Sequence, residues 1–459
     1  MVYPKRLRRV RFRHFVDKKD ENRVDVVVMN MQTYDVIVVG AGPAGMMAAG
    51  TAGNAGARVL LLEKNPHPGR KLLMTGGSRC NFTNVEMDIH RLTAKYLDAG
   101  KALISPFSKM GPREVLHFFQ SRGMPYHVED NGRAFPATNR AESVLKVLRA
   151  YMQEGKVELR TKTEVDALLV HQGRVNGVRI GRERIQSAST VVTTGGLAYP
   201  QTGSTGDGFR WLERIDHTII QPEPSLVPVI VHETWIQSLQ GLSFPNLRIS
   251  VLRGDRVLER AEGKVLITHF GLSGPGILNL ASRIADIAAG NTTEPTRISL
   301  NFFPQTDGGS LDRELQQLLS SAPRRKLKNI LETMLPPRLA ARILSTVEPQ
   351  FENPAEITGS SVPKNLRKRI VQLMQDFRVT FKELQGEDWA IVSRGGVPCD
   401  EVDFRTMESK IVPGLFVAGD MLDINRPSGG YSLQICWATG FVAGESTAAR
   451  RHPPAPPPT

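Results

Sequence analysis

Glycine, arginine, cysteine and asparagine are concentrated in the ten residues TGGSRCNFTN, at positions 75 to 84. Adjacent glycines expose backbone N–H groups that can bind an anion, and an arginine adds positive charge. Asparagine side chains can hydrogen-bond a polar ring edge, and a thiol can donate a proton. The loop is therefore suited to hold a phosphorylated cofactor if a nucleotide-binding fold precedes it. In an ordinary loop, the same asparagines would only cap backbone groups.

The preceding segment predicts such a fold. YDVIVVGAGPAGMMAAGTAGNAGARVLLLEK contains an apolar strand, a G-x-G-x-x-G turn, a helix of small residues and a second apolar strand with an acid at its end. This order is the dinucleotide-binding fingerprint. Gly40 permits the tight turn, Gly42 lets the backbone approach a pyrophosphate, and Gly45 lets the helix pack on the strand.

The acid at the end of the second strand indicates how the cofactor's adenosine end binds. Glu63 stands where a carboxylate accepts the ribose hydroxyls, and an acid here disfavours the 2′-phosphate of NADP. Beyond it, Arg70 and Lys71 supply positive charge after a rigid turn, and Gly76-Gly77 offer backbone N–H groups to the pyrophosphate. Together these features predict a dinucleotide site.

Two later strands favour FAD over NAD as the dinucleotide. GLFVAGDMLD predicts an apolar strand that ends in Gly419-Asp420, where a carboxylate can bind a ribityl hydroxyl. The helix that begins at Gly429-Gly430 can direct its dipole at the flavin ring, where negative charge develops on reduction. STVVTTGGLAYP predicts another strand with glycines at its end, which would bring the backbone close to the dinucleotide. Each later segment alone is equally typical of a turn between strand and helix.

The predicted cofactor-binding residues come from all these segments. They are Gly40, Gly42, Pro43, Ala44, Gly45, Glu63, Lys64, Arg70, Lys71, Thr75, Gly76, Gly77, Arg79, Asn84, Val165, Thr194, Gly195, Gly196, Gly419, Asp420, Gly429, Gly430, Tyr431, Ser432 and Leu433.

The chain also resembles a known family, the YhiN-like FAD-dependent oxidoreductases, which include aminoacetone oxidase-like, BaiN-like and ribosomal RNA dihydrouridine synthase-like flavoproteins. The resemblance extends over residues 34 to 447 and rests on GRKLLMTGGSRCNFTN, NGRAFPATNRAESVL, TTGGLAYPQTGSTGDGF, THFGLSGPGIL, TMESKIVPGLFVAGDMLD and SGGYSLQICWATGFVAG. Ser78, Asp420 and Ser432 depart from the family's glycine, glutamate and asparagine.

The resemblance implies an α/β fold in which a Rossmann-like, glutathione-reductase-like FAD-binding domain is interrupted by a β-barrel-like domain and a small helical domain. The predicted ranges are a disordered basic extension (1–30), the FAD-binding domain (31–221 and 388–449), a β-rich insert (222–308 and 378–387), a helical module (309–377) and a Pro-rich tail (450–459). Within the FAD-binding domain, segments 156–163, 165–171 and 174–180 are expected to form a meander.

Composition indicates where the protein works and what it meets. No run of about 18 apolar residues is present to span a membrane. The cysteines Cys80, Cys399 and Cys436 lack C-x-x-C spacing, which argues against a disulfide framework and a metal site and favours the cytoplasm. The net charge of +13 suits an anionic partner, and cations cluster in predicted helices at 324–328 and 364–369. Such clusters suit a phosphate backbone, although most are solvated helix faces.

The expected chemistry is reduction of a polarised C=C bond. With no second G-x-G-x-x-G, NADH or NADPH is expected to visit the flavin transiently. Cys80 is the first candidate proton donor, because a thiol of pKa near 8.5 is protonated at pH 7. A small buried thiol is the more common role for such a cysteine. Tyr199 and Tyr431 are alternative donors, Asn81 can bind the flavin edge, and His269 can line a substrate pocket, although a structural histidine is more common.

The resemblance and the charge together favour uridine in ribosomal RNA as the substrate. Two alternatives stay open. One is an oxidase or reductase of a small amine or enone, for which the basic helices would be incidental. The other is an RNA-binding flavoprotein without turnover. The oligomeric state cannot be predicted from these patterns.

Overall fold

A computed structural model describes residues 33–290, 293–390 and 392–450. The predicted basic extension and all but the first residue of the predicted tail lie outside these ranges. The strands are β1 (Thr33–Val39), β2 (Val59–Leu62), β3 (Thr83–Asn84), β4 (Tyr126–Glu129), β5 (Arg133–Pro136), β6 (Glu158–Arg160), β7 (Ala167–His171), β8 (Arg174–Ile180), β9 (Glu183–Val192), β10 (Ile220–Ser225), β11 (Val229–Val231), β12 (Ser243–Arg253), β13 (Arg256–Ile267), β14 (Gly271–Ser273), β15 (Thr296–Asn301), β16 (Phe377–Leu384), β17 (Val392–Gly396), β18 (Val402–Asp403), β19 (Glu408–Ser409) and β20 (Leu415–Val417). The helices are α1 (Pro43–Asn54), α2 (Arg70–Met74), α3 (Ile89–Ala94), α4 (Gly100–Lys109), α5 (Pro112–Ser121), α6 (Ala141–Glu154), α7 (Asp207–Glu213), α8 (Pro275–Leu278), α9 (Ala281–Ala288), α10 (Gly308–Ser321), α11 (Leu327–Leu331), α12 (Pro337–Val347), α13 (Lys364–Gln375) and α14 (Tyr431–Ala448).

The central sheet has the strand order β18-β19-β20-β9-β1-β2-β6. β20, β9, β1, β2 and β6 run parallel to one another. The residues of β2 and β20 and nearly all of β1 are buried, as expected for parallel strands covered on both faces. Because the strands are parallel, their carboxyl ends meet at one edge, where ligands bind in such sheets.

One element of the predicted meander lies elsewhere. β7, β8 and β9 do form an antiparallel meander. β6, at residues 158–160, instead pairs parallel with β2 and extends the sheet at its far edge. The prediction for this segment was wrong, because apolar and polar alternation identifies a strand but not its partner.

Helices α1 and α14 pack with their backbones in close contact. A Cβ atom built on Gly440 would lie 2.4 Å from the Ala44 carbonyl oxygen, and one on Gly444 would lie 2.5 Å from the Ala48 carbonyl oxygen. Small residues are therefore required along this interface. The contact joins the first helix of the described chain to the last one described.

The insert contains a closed barrel with the strand order β11-β14-β13-β12-β15-β16. The predicted α/β fold with an inserted barrel is confirmed. Buried barrel residues such as Ile249 and Ile298 share one hydrophobic cluster with Leu315, Ile343 and Leu366 of helices α10, α12 and α13. The barrel and the helical module, predicted as separate units, thus have a common core. Within the described ranges, no helix is long and apolar enough to cross a membrane.

A buried hydrogen-bonded triad fastens the β18–β19 edge to the loop after α7. Nδ1 of His217 lies 2.8 Å from Oε2 of Glu401, and Nε2 lies 2.8 Å from Oγ of Ser409. The Ser409 hydroxyl accepts from the backbone N–H groups of Ile411 and Val412, so it donates to His217 Nε2. Nδ1–H of the neutral imidazole then donates to Glu401. Because Ser409 is only 6% exposed, we assign the triad a structural role despite its resemblance to a hydrolase triad.

We expect this triad to make stability depend on pH. Burial lowers the pKa of His217, with Glu401 opposing the effect. The unfolded chain therefore binds a proton that the folded protein excludes, and stability falls as pH drops below about 6.5. Replacing His217→Gln should cost about 1–3 kcal/mol at pH 7.5 and less at pH 5.5, as measured by denaturant unfolding at both pH values. If the variant loses the same free energy of unfolding at both pH values, His217 is not held as a neutral imidazole in the folded protein.

Candidate functional site

The carboxyl ends of the parallel strands open into a cavity with an empty volume of about 860 Å³, named here the cofactor cavity. Its wall includes segments that follow β1, β2, β9 and β20. The predicted cofactor-binding residues that line it are Gly40, Gly42, Pro43, Ala44, Glu63, Lys64, Arg70, Lys71, Val165, Thr194, Gly195 and Asp420. Residues from opposite ends of the chain therefore meet in one site.

The three glycines of the first turn differ in what their missing side chains permit. Gly40 has φ +102°, and a Cβ there would lie 2.6 Å from the Thr193 carbonyl oxygen. A Cβ on Gly45 would lie 1.9 Å from the Gly40 carbonyl oxygen, so this glycine is required by packing. A Cβ on Gly42 meets no protein atom within 4 Å. The packing of the protein itself does not require glycine at this position. A ligand bound against the N-terminus of α1 would require it, because a side chain would occupy the space of the ligand.

The outer end of the cofactor cavity is organised around Glu63, which is 8% exposed. Its Oε2 accepts a hydrogen bond of 2.9 Å from the Ala41 N–H, and its Oε1 accepts from the backbone and side chain of Asn65 at 2.8 and 2.7 Å. A carboxylate can accept about four hydrogen bonds, so capacity remains for a ribose hydroxyl. Asn65 in turn accepts from Arg70 at 2.9 Å. The sequence prediction missed Asn65, whose only signal is its position two residues after the acid.

Lys64, predicted to bind the cofactor, has protein partners at the cavity wall. Its Nζ lies 2.5 Å from Oδ2 of Asp207 and 2.5 Å from Oγ1 of Thr205. The ion pair contributes to the lowered pKa of Asp207, against the effect of burial. Lys64 therefore ties the end of β2 to the start of α7.

The inner end of the cofactor cavity carries two cations and one carboxylate. Burial lowers the pKa of Lys71, although Asp420 opposes the effect. Arg426, which is 4% exposed, forms an ion pair with Asp420 and also donates to the Ile424 carbonyl and to Ser432 Oγ. The sequence prediction missed Arg426. The only sequence pattern that could have identified it is its position between Asp420, at the end of a predicted strand, and the glycine pair Gly429-Gly430.

The residues that line the cofactor cavity match the chemistry of FAD. Along one cavity lie a desolvated lysine with no carboxylate within 4 Å among the described residues, a helix N-terminus free of side chains at Gly42, and an acid with spare acceptor capacity. An anionic pyrophosphate between a ribose and a polar flavin chain satisfies all three. The chain thus fits a dinucleotide with its adenosine at Glu63.

The loop TGGSRCNFTN lies outside the wall of the cofactor cavity. Gly76, Gly77, Ser78 and Cys80 all have positive φ, so the loop turns sharply after α2. Thr75 donates from its hydroxyl to the Leu72 carbonyl at 2.6 Å. The predicted cradle of backbone N–H groups remains a prediction, since these residues do not border the cavity.

Two side chains of this loop are held by protein partners. Arg79 forms an ion pair of 2.6 Å with Glu129 and lies over the Phe135 ring. Asn84 Nδ2 donates to the carbonyls of Asn131 and Gly429 at 3.0 and 3.1 Å, which joins the loop to the segment before α14. Their geometry supports structural roles.

The residues predicted for catalysis in this region are mostly buried. Cys80 has no exposed surface, and burial raises its pKa to about 12. Tyr431 is 8% exposed, and burial raises its pKa as well. Asn81 Oδ1 is buried without a hydrogen-bond partner within the described ranges. An acceptor in this state is suited to an N–H or O–H group of a ligand, whereas the environment of Cys80 favours a structural thiol.

The remaining predicted cofactor residues surround the start of α14 and the end of β9. Gly430 has φ +100°, and a Cβ there would lie 2.4 Å from the Thr83 carbonyl carbon, so glycine is required. A Cβ on Gly196 would lie 1.9 Å from Ser393 Oγ. These residues, together with Gly419, Gly429, Ser432 and Leu433, do not line the cofactor cavity. Their predicted contact with the flavin stays a prediction.

His269 and Tyr199 lie together in a second cavity, named here the aromatic cavity, with an empty volume of about 850 Å³. It is bordered also by Phe270 and Trp389, which the sequence prediction did not single out. Burial raises the pKa of Tyr199. In the described part of the chain, no cluster of three His, Cys, Asp or Glu side chains could hold a metal ion.

Comparison with known proteins gives matches along nearly the whole chain. The family model described as HI0933-like protein Rossmann domain matches residues 34–446. A ribosomal RNA dihydrouridine synthase of Escherichia coli is 28% identical over 92% of this chain and 100% of that protein. A 3-dehydro-bile acid delta(4,6)-reductase of Clostridium scindens is 28% identical over 90% of this chain and 98% of that protein.

Solved structures show the same fold. A 3-ketosteroid delta1-dehydrogenase from Sterolibacterium denitrificans superposes with a TM-score of 0.53 at 14% identity, covering 91% of this chain and 100% of that one. At this identity the likeness concerns the fold alone.

Proposed function

The chain belongs to the HI0933-like Rossmann-domain family, and from that premise we propose that it reduces a polarised C=C bond, with uridine in ribosomal RNA as the substrate. The protein is an FAD-dependent oxidoreductase. The dihydrouridine synthase and the bile acid reductase named above act on different substrates. Both names nevertheless describe reduction of an unsaturated ring. Reduction of a conjugated C=C bond is therefore the shared chemistry.

The cofactor cavity is the observation that carries the proposal. When bound there, FAD would supply the two-electron chemistry. Glu63 would accept the ribose hydroxyls, and the free N–H groups of α1 at Gly42 would bind the pyrophosphate. Lys71 and Arg426 place positive charge at the inner end of the cavity, beside Asp420. We propose NADH or NADPH as the transient electron donor.

A reductase also needs a proton at the substrate carbon. Of the residues predicted to supply or orient it, His269 and Tyr199 border a cavity, whereas Cys80 has no exposed surface. A phenol or an imidazole that faces the substrate can hold that proton at Oη or at a ring nitrogen. We therefore place proton delivery in the aromatic cavity rather than at Cys80.

Exposed cations on neighbouring segments support RNA as the partner. The prediction of one helix at 324–328 was wrong, because residues 324–326 lie in the connection between α10 and α11. Lys326 in this connection pairs with Glu356, and Arg367 of α13 pairs with Asp312, so these two charges are compensated. Arg324, Arg325, Lys328, Lys364 and Lys368 are exposed, and no ion pair is seen for them among the described residues. The Gly359 N–H donates to the Arg325 carbonyl at 2.9 Å, which brings the start of α11 close to the turn before α13. These five cations form the basic surface.

Salt dependence measures the contribution of the basic surface. If five phosphates are neutralised, the log–log slope of affinity for single-stranded RNA against salt should be about −3.5. The double variant Lys364→Glu, Lys368→Glu should make that slope shallower by about 1.4. Lys95→Glu, Lys101→Glu, which changes exposed lysines elsewhere, is the matched control and should leave it unchanged. If the wild type and both double variants give equal slopes, the basic surface does not contact the RNA.

The second candidate function is reduction of a small enone. The specific observation that favours it is the largely apolar lining of the aromatic cavity, which includes Leu226, Leu266 and Leu278. For a small substrate the basic surface would have no role, and enone turnover would be insensitive to salt. An RNA-binding flavoprotein without turnover would bind RNA, but its flavin would not be bleached by NAD(P)H.

The experiment that tests the proposed function is mass spectrometry of ribosomal RNA nucleosides from cells with and without this gene. We expect dihydrouridine to disappear with the gene and to return with the wild-type protein but not with Gly42→Val. An unchanged nucleoside profile would exclude the RNA substrate and direct the search to enones.

A further inference from the structure

The aromatic cavity contains rings from separate parts of the chain. His269 and Phe270 lie between β13 and β14, Trp389 lies after β16, and Tyr199 follows β9. The His269 and Phe270 ring centroids are 4.9 Å apart, and those of Phe270 and Trp389 are 5.8 Å apart, in edge-to-face arrangements. This series braces Trp389 while leaving it 51% exposed. An indole face held at a cavity mouth is a stacking surface for a planar ring.

Among the described residues, some polar groups that line the aromatic cavity have no hydrogen-bond partner in the protein. No hydrogen bond to the Tyr199 hydroxyl or to the Gln240 carboxamide is present within the described residues, and both residues line the cavity. Tyr199 also has φ +52°, a left-handed conformation that is unfavourable for a residue other than glycine. Thr202 holds it there through hydrogen bonds of 2.9 and 2.7 Å to its carbonyl oxygen. A strained residue with no hydrogen bond to its hydroxyl among the described residues thus lines the cavity.

The aromatic cavity is adjacent to segments of the cofactor site. Tyr199 follows Gly195, which lines the cofactor cavity, by four residues. On the other side, Leu278 lines the aromatic cavity, and the next residue, Asn279, accepts a hydrogen bond of 2.8 Å from the Ser428 N–H just before Gly429. The aromatic cavity is therefore connected, through Tyr199 on one side and Leu278 and Asn279 on the other, to both chain segments predicted to flank the flavin.

The aromatic cavity is also connected to the helical module that bears the basic surface. Arg338 of α12 donates to the carbonyl oxygens of Gln240 and Ser238 at 2.8 and 3.3 Å. Arg342 of the same helix lies over the Trp235 ring, with 4.2 Å between the guanidinium carbon and the ring centroid. These contacts fix the rim of the cavity to the module. The helical module therefore carries both the basic surface and the contacts that hold this rim.

We propose that the aromatic cavity binds one unstacked pyrimidine base of a single-stranded RNA segment. The base stacks on Trp389, while the Tyr199 hydroxyl and the Gln240 carboxamide hydrogen-bond its N–H and C=O edge. This inference rests on the proposed function and adds the recognition site to it. Extruded bases are bound in this way, between aromatic side chains and polar groups that match their edge.

The test uses FAD-loaded protein and a fluorescently labelled RNA of about ten nucleotides with one uridine, compared with the same RNA carrying an abasic site there. Binding is followed by fluorescence anisotropy at low salt. Trp389→Ala should weaken binding of the uridine RNA about tenfold, because one base–aromatic stack is lost. Trp389→Phe should restore most of the affinity. Tyr199→Phe, which removes one hydroxyl, should weaken binding severalfold.

The abasic RNA separates base recognition from backbone binding. Wild type and all three variants should bind it equally, since its phosphates still contact the basic surface. The inference is overturned if Trp389→Ala binds both RNAs as the wild type does, or if a steroid enone but not the uridine RNA is bound in a Trp389-dependent way. Loss of dihydrouridine on gene deletion together with an unchanged Trp389→Ala affinity would leave the proposed function standing and reject this cavity alone.

Discussion

A Gly42→Val variant is expected to fold normally and to purify without FAD. Gly42 has φ −78° and ψ −176°, an extended conformation that valine adopts readily. A Cβ at this position meets no protein atom within 4 Å, so the side chain enters the cofactor cavity without disturbing the wall. It would occupy the space in which the pyrophosphate approaches the N-terminus of α1. Absorbance spectroscopy of the purified protein should show that bound flavin is lost.

Thermal unfolding shows whether that loss reflects misfolding. A ligand that binds only the folded state raises its stability. The variant should therefore melt at the temperature of wild-type protein stripped of FAD, and not lower. Gly123→Ala is the matched control, because a Cβ there also meets no protein atom within 4 Å and Gly123 does not line the cofactor cavity. It should remain yellow, with at most a small destabilisation from its φ of +78°. A yellow Gly42→Val protein would mean that FAD binds elsewhere.

Replacing Arg426→Met should destabilise the protein by about 1.5–3 kcal/mol, because it removes the charged hydrogen-bond partner of the partly buried Asp420. The Arg426 side chain is 1% exposed and that of Asp420 is 17% exposed. Denaturant unfolding of FAD-free protein measures this cost independently of cofactor binding. One of the two cations beside Asp420 would also be lost from the inner end of the cofactor cavity, so FAD affinity should fall in a parallel titration.

Two further variants identify the ion pair as the cause. Adding Asp420→Asn to Arg426→Met removes the unpaired charge and should recover a large part of the lost stability. Arg405→Met removes an arginine that is 81% exposed and paired with Asp403, and it should leave the free energy of unfolding almost unchanged. If Arg426→Met and Arg405→Met cost the same, Arg426 does not hold a buried charge.

The strand ends and their glycines were predictable from the sequence because the physics is local. Continuous apolar segments form parallel strands, and parallel strands place Gly40, Glu63 and Asp420 at one edge. The separate roles of Gly40 and Gly45 likewise follow from the turn between β1 and α1.

The path of TGGSRCNFTN was not predictable, because partners far along the chain decide it. Arg79 is neutralised by Glu129, and Asn84 binds Gly429, which is 345 residues away in sequence. Arg426 and Trp389 escaped prediction for the same reason. Composition shows which groups a loop carries, but only the tertiary structure shows which of them already have partners.

The contact between α1 and α14 has a consequence for synthesis of the protein on the ribosome. The cofactor domain needs β20 and α14, which emerge last, to pack beside β9 and against α1. The strands of the barrel and the helices that share its core lie together in the chain between residues 229 and 384. They leave the ribosome earlier and can fold first, since domains generally fold as units during translation. The inserted domain can thus be complete before its host, and a cofactor site that needs β20 can be completed only after residues 415–417 have left the ribosome.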